Sequence, residues 1–248
     1  MRQSLFICIG GLEFLRNIKD CVNAFLSLLN TQYEIVLGRK GVAVTLRITF
    51  DKKDCFHLMG LQYLIDRPEL NRDREKIFDK VLMGDITTKQ VESSDFYERI
   101  KERIDYLPLL EMLLDSNETV FKYNKKANIY SKIEADFLMK NNMENRNLYL
   151  FLSQGKNDNY YCRSFFPEEK KDYTKNQALW TMLYKKKCNT ITGKAIILYD
   201  KLATSNKHKS LEERAMEFNG ELMLDGEYDQ MSMKEYIDPF TGEPVNKA

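Results

Sequence analysis

A chain of 248 residues suits one large domain, or a domain with an appended tail, and is long enough to bury a sizeable core. With 43% apolar and 30% charged residues but only 11 Gly and 5 Pro, it is neither collagen-like nor Pro-rich and of low complexity, and no apolar run approaches the ~18–20 residues of a membrane span. The formal charge of +1 hides an asymmetry: ten acidic and five basic side chains between residues 205 and 248 give −5, leaving +6 for the rest, a mildly basic body compatible with an anionic partner.

Residues 1–15 carry one Arg and a short apolar run without a small-residue cleavage site, so they read as mature sequence rather than a secretion signal. Apolar residues at helical spacing (Leu12, Leu15, Ile18, Val22, Phe25, Leu26, Leu29) predict a helix that Asn30 stops. Tyr33–Leu37 and Val42–Phe50 are β-prone runs joined by Gly38-Arg39-Lys40-Gly41, the pattern of a hairpin. Asp51 or Asp54 then caps a helix carrying Phe56, Leu58, Leu61 and Leu64, which ends before Pro68. Further helices are expected over Arg72–Met83, Phe96–Tyr106 and Pro108–Asp115, Pro108 suiting a first helical turn.

From Thr119 the character changes. Val120–Tyr123, Asn128–Ile133, Leu148–Leu152, Tyr160–Phe165, Leu179–Lys185 and Ala195–Tyr199 are short β-prone runs separated by polar clusters. Helices first and strands after is an α+β order rather than an alternating one. The fold expected is therefore α+β: N-terminal helices with a small hairpin, then an antiparallel sheet of about four to six strands. Ser210 opens a short capped helix, with Leu211-Glu212-Glu213 in the capping-box position, and an acidic, loop-like tail follows. The implied units are residues 1–41, 42–203 and 204–248.

No P-loop, zincin, nucleophile-elbow or dinucleotide fingerprint is present. The cysteines Cys8, Cys21, Cys55, Cys162 and Cys188 are odd in number and never at CxxC spacing, which fits plain thiols in a reducing compartment and makes the cytoplasm the expected location. No carboxylate group has metal-ligand spacing, and Asp66 or Asp136 alone would bind magnesium poorly. His57, in Phe56-His57-Leu58-Met59-Gly60-Leu61, reads two ways: a satisfied structural group at a helix start, or a general acid or base, since imidazole titrates nearest neutrality. Two cationic stretches lie on expected strands, one with Lys122, Lys125, Lys126 and Lys132, the other with Arg163 and then Lys185, Lys186 and Lys187. Tyr123, Tyr130, Tyr161, Phe165 and Tyr184 are interleaved with them, a pairing of charge and stacking surface suited to single-stranded nucleic acid. The same lysines equally suit the ordinary solvated face of a strand.

Several stretches, in order, resemble one known family: Phe56–Leu61, Lys132-Ile133-Glu134-Ala135-Asp136-Phe137-Leu138, Leu148-Tyr149-Leu150-Phe151-Leu152, Cys162-Arg163-Ser164-Phe165-Phe166, Tyr173 with Gln177, Leu183 with Lys185 and Lys187, and Ile197-Leu198-Tyr199-Asp200. Together they resemble the phage-type branch of the barnase–EndoU–colicin–RelE nuclease superfamily, over roughly residues 42–202. The resemblance implies a small RNase-like fold and metal-independent cleavage of RNA without a cofactor. The function expected is an endoribonuclease, or an RNA-directed toxin or effector, of a phage or conjugative element. In that chemistry His57 serves as acid/base, while Arg163 and Lys187 stabilise the phosphorane. Ser164, Lys132, Lys185, Lys125 and Lys126 contact phosphate, and Tyr173 stacks on a base. Expected partners are RNA and a cognate inhibitor or host protein. Two other readings stay open: a non-catalytic protein whose acidic tail disarms a host defence factor, and ADP-ribosyl transfer, which needs a nicotinamide pocket not identifiable in the sequence.

Overall fold

The computed structural model describes residues 16–70, 73–116, 119–128, 131–155, 158–201 and 203. Leu12–Leu15 of the expected first helix, Arg72, the Ser210 helix and the acidic tail lie outside these residues. Local chemistry explains most element boundaries. Helix α1 (Ile18–Leu26) starts at Asn17, whose side chain accepts the Lys19 and Asp20 N–H groups while Asp20 returns a bond to the Asn17 N–H. Strands β1 (Thr31–Arg39) and β2 (Val42–Ile48) meet at a two-residue turn in which Lys40 and Gly41 both have positive φ, 50° and 79°. Such a turn matches the twist of the strands it joins.

Helix α2 (Lys52–Met59) follows Asp51, whose N–H donates to the Asp54 carboxylate at 2.8 Å. It closes at Gly60, left-handed with φ 81°. Helix α3 (Arg74–Met83) is capped by Asp73, and α4 (Thr88–Glu92) by Thr87. The helix expected over Phe96–Tyr106 is split at Ile100 into a 3₁₀ turn, Tyr97–Arg99, and α5 (Lys101–Tyr106). Pro108 sits in the 3₁₀ turn Leu107–Leu109 that leads into α6 (Leu110–Asp115).

The expected antiparallel sheet of four to six strands is not what forms. After β3 (Thr119–Lys122) come β4 (Phe137–Met143), β5 (Arg146–Gln154), β6 (Asn159–Pro167), β7 (Ala178–Asn189) and β8 (Ala195–Asp200). Their order is β1-β2-β6-β5-β4-β3-β7, and β7 pairs back onto β1, so seven strands close into a barrel. The barrel is mixed, because β2 and β6 run parallel through Arg47–Asn159 and Ile48–Tyr160. The eighth strand, β8, lies along β7 at Tyr184–Cys188, beyond the short stretch that β3 covers. The hairpin strand β1 is thus a stave with two partners, β2 and β7, and closure removes the edges an open sheet would expose.

Among the described residues the expected strand over Asn128–Ile133 does not form: Lys125–Asn128 is a 3₁₀ turn and Ser131–Asp136 has no regular structure, while Ile129 and Tyr130 lie outside the described residues. Side chains there take the backbone's bonds. Asn124 accepts the Lys126 N–H, and Ser131 Oγ accepts the Ile133 N–H and the Tyr123 hydroxyl.

Apolar side chains of one sheet face and of the helices form the main core, from Phe25 and Leu46 through Phe56 and Ile104 to Leu150 and Phe165. A second core on the other face gathers Tyr123, Leu138, Tyr149 and Phe151 against Phe166 and Tyr173. Strand β5 is buried on both faces, which accounts for its unbroken Leu148–Leu152 run. In β6 the register against β5 slips: Leu152 faces Cys162 but Phe151 faces Ser164, so Arg163 is the bulged residue. Inward positions therefore change phase, from Tyr160 and Cys162 to Phe165.

Candidate active site

The bulge in β6 turns Arg163 out to solvent, and its guanidinium reaches the Tyr161 hydroxyl at 3.5 Å. Arg163 and Tyr161 line a cavity of about 320 Å³ with Glu134, Ala135, Asp136 and Ser153. Bonds from β5 help hold the 134–136 wall: Ser153 Oγ donates to the Glu134 carbonyl at 2.9 Å, and the Gln154 N–H donates to Asp136 Oδ2 at 2.8 Å. Glu134 accepts from Lys125 at 2.7 Å. That bond, reinforced by the charges of Lys125 and Arg163, holds its carboxyl below the ordinary range, so Glu134 stays ionised.

His57 stands in the last turn of α2, half-buried. Arg74 Nη1 lies 2.6 Å from its Nε2. Arginine can only donate, so Nε2 accepts, which requires a neutral ring with its proton on Nδ1. Burial, then the positive charges of Arg74 and Arg163, all push the His57 pKa below its ordinary value. His57 is therefore a neutral imidazole in a field made by two guanidiniums. The Arg74 guanidinium also lies 5.7 Å from the Phe56 ring. The sequence reading missed Arg74, although a cation in the first turn of α3, just after its Asp73 cap, sits against the helix dipole and is a signal in itself.

His57 and Arg163 are brought into one electrostatic neighbourhood; Lys187 is not. The Lys187 ammonium is held by Glu111 at 2.8 Å and by Asp115 at 2.8 and 3.0 Å, over the Tyr33 ring. Burial disfavours its charge, but the two carboxylates outweigh burial and raise its pKa. Lys185 is fully buried and donates to the Leu114 and Ser116 carbonyls, the last acceptors of α6. Both lysines share a face, as a strand's period demands, and that face covers α6. Ser164 Oγ accepts from Arg103 at 3.2 Å. Tyr173 is half-buried in the second core. Lys125 is paired with Glu134, whereas Lys126 and Lys132 are exposed with no side-chain partner among the described residues. All three lie off the sheet, in the 3₁₀ turn and the segment after it.

Among the described residues no three His, Cys, Asp or Glu side chains converge on a point that would hold a metal ion, and no helix is long and apolar enough to cross a membrane. Cys21, Cys55, Cys162 and Cys188 are free thiols, and burial pushes the first three well up. The family model described as phage-Barnase-EndoU-ColicinE5/D-RelE like nuclease4 matches residues 17–202. No curated protein and no solved structure matches the chain.

Proposed function

Because the chain belongs to the phage-Barnase-EndoU-ColicinE5/D-RelE like nuclease4 family, a nuclease family whose substrate is nucleic acid, we propose that it is a metal-independent endoribonuclease of a phage or other mobile element. It acts in the cytoplasm on RNA, with His57 as general base and Arg163 and Arg74 as phosphate-binding cations. The neutral His57 imidazole, bonded to Arg74 and reached by the charge of Arg163, carries the reading. A general base must be unprotonated at working pH, and a phosphodiester must be met by cations.

In this mechanism the incoming phosphate draws Arg74 away from His57 and frees Nε2. That nitrogen takes the proton of a ribose 2′-hydroxyl, and the 2′-oxygen attacks the adjacent phosphorus. The bond to the 5′-oxygen breaks, and this oxygen takes a proton from water. The products are a 2′,3′-cyclic phosphate and a 5′-hydroxyl end. Arg163, exposed at the bulge, stabilises the negative charge that grows on the equatorial oxygens. Lys187 takes no part, since releasing it would strip Glu111 and Asp115 of their counter-charge.

The test is incubation of the purified protein with RNA and with single-stranded DNA of the same sequence, in EDTA. Discrete RNA fragments ending in cyclic phosphate, with intact DNA and an inert His57→Gln variant, are expected. Cutting of both substrates, or a strict need for a divalent ion, overturns the 2′-hydroxyl mechanism.

A further inference from the structure

Beside the small cavity a larger cleft of about 1090 Å³ opens between α5 and the residues that follow β6. Its apolar wall is aromatic: Tyr63, Phe166 and Tyr173, with Ile133. Tyr173 and Phe166 stand edge-to-face at 5.6 Å and 74°, and both are braced on the second core by Tyr149 and Phe151. These rings are rigid, half-exposed faces rather than mobile surface groups. Six cations line the cleft against four carboxylates, and of the carboxylates Glu102 is engaged by Arg146 at 3.2 Å.

Arg103 is the unusual residue. Its guanidinium lies 4.9 Å from the Phe166 ring and 5.6 Å from the Tyr63 ring, with Nη1 shared between Ser164 Oγ and the Phe165 carbonyl at 3.2 Å. Among the described residues no carboxylate is within ion-pair reach of it, and Glu169 acts on it only through its field. Burial therefore works against its charge, yet arginine keeps that charge in proteins. A half-buried cation with donors to spare and, among the described residues, no carboxylate in ion-pair reach is open to an anionic partner. Gly60 makes its position possible: a Cβ there would come within 2.9 Å of Arg103 Cδ and of Ile100 Cγ2.

The cleft and the small cavity are separate but lined by neighbouring stretches of chain. Ile133 lines one and Glu134–Asp136 line the other, while Arg163 and Phe166 are three positions apart on β6, about 10 Å along the strand.

We propose that this cleft is a nucleotide subsite of the nuclease: it stacks an unpaired base of the RNA on Tyr63 or on the Tyr173–Phe166 pair and pairs that nucleotide's phosphate with Arg103. The inference rests on the nuclease reading above and adds where the strand lies beyond the cut bond. It makes the enzyme selective for single-stranded RNA, because a base inside a duplex cannot leave its stack to enter the cleft at no cost.

The test measures binding apart from cleavage, with a fluorescent single-stranded oligoribonucleotide whose 2′-hydroxyls are methylated. Tyr63 is exposed and touches Arg103 from outside the core, so Tyr63→Ala should stay folded. It should weaken binding about 10-fold, as loss of one stacking face does. Arg103→Gln should weaken it further and flatten its salt dependence, with circular dichroism confirming the fold. The same strand in a duplex should bind poorly to the unaltered protein. Unchanged affinity in both folded variants, or equal affinity for duplex and single strand, overturns the subsite and leaves cleavage standing. Failure of the unaltered protein to cut any RNA overturns the functional reading beneath it.

Discussion

Asp54 gives a stability prediction that follows from burial alone. It lies in the first turn of α2, 6% exposed, with one oxygen accepting the Asp51 N–H and no cation paired to it among the described residues. Burial pushes its pKa from 3.8 up to about 6. Between those values the folded protein holds the proton and the unfolded chain does not, so stability falls as pH rises through that window and is level above it. The difference amounts to about 3 kcal/mol lost by pH 7. Asn at this position is neutral, and its amide oxygen can accept the same Asp51 N–H. Asp54→Asn should therefore stabilise the protein at pH 7.5 by about 2–3 kcal/mol, match the parent near pH 4, and remove most of the slope between. Urea unfolding at five or six pH values measures both effects. A variant weaker than the parent at pH 7.5, or an unchanged slope, would mean that the carboxylate is solvated or paired.

Three further outcomes are expected. Arg74→Ala removes a donor and a positive charge from His57, so the His57 pKa should rise toward 6.5 in an NMR titration, which the presence of only two histidines in the chain keeps simple; an unmoved pKa would show that Arg74 does not hold the ring. Gly60→Ala should cost clearly more than Gly84→Ala: both glycines have left-handed φ, at about 1–2 kcal/mol each, but a Cβ collides only at position 60, and equal shifts in Tm would argue against close packing of α2 on α5. Lys187→Met strips Glu111 and Asp115 of their counter-charge and should lower stability by about 1–3 kcal/mol while RNA affinity holds. The reverse pattern, normal Tm with lost affinity, would return Lys187 to the substrate.

Local signals were legible where chemistry is local. The Asp51 start of α2, the β1–β2 hairpin with its loop within Gly38–Gly41 and the apolar Leu148–Leu152 strand can be read from residue type and spacing, whereas α2 stops at Gly60 and not, as expected, just before Pro68. Barrel closure cannot, since it depends on β1 having two partners and on a parallel β2–β6 contact of two residue pairs, neither of which leaves a periodicity. Strand β4 carries Lys140-Asn141-Asn142 before its last residue, Met143, a polar run that hides its apolar start. The cationic pattern in β7 misled because a lysine on a strand reads as solvated or as ligand-facing, whereas Lys185 and Lys187 turn inward to α6. Arg163 was legible as a cation beside Tyr161, but the bulge that exposes it was not. Arg103 has no sequence signature at all, since its meaning comes from the rings around it in space and from the lack, among the described residues, of a carboxylate in ion-pair reach.

The proposed role of His57 as the proton acceptor in RNA cleavage is measured by the pH dependence of kcat/KM. The rate should rise with pH and level off, with an apparent pKa that lies below 6.5 and equals the His57 value found by NMR. His57→Gln, with its Tm nearly intact, should lower the rate by about 10²–10⁴ and abolish that limb. A His57→Gln enzyme that keeps the limb and most of its rate would contradict the account and put the base elsewhere.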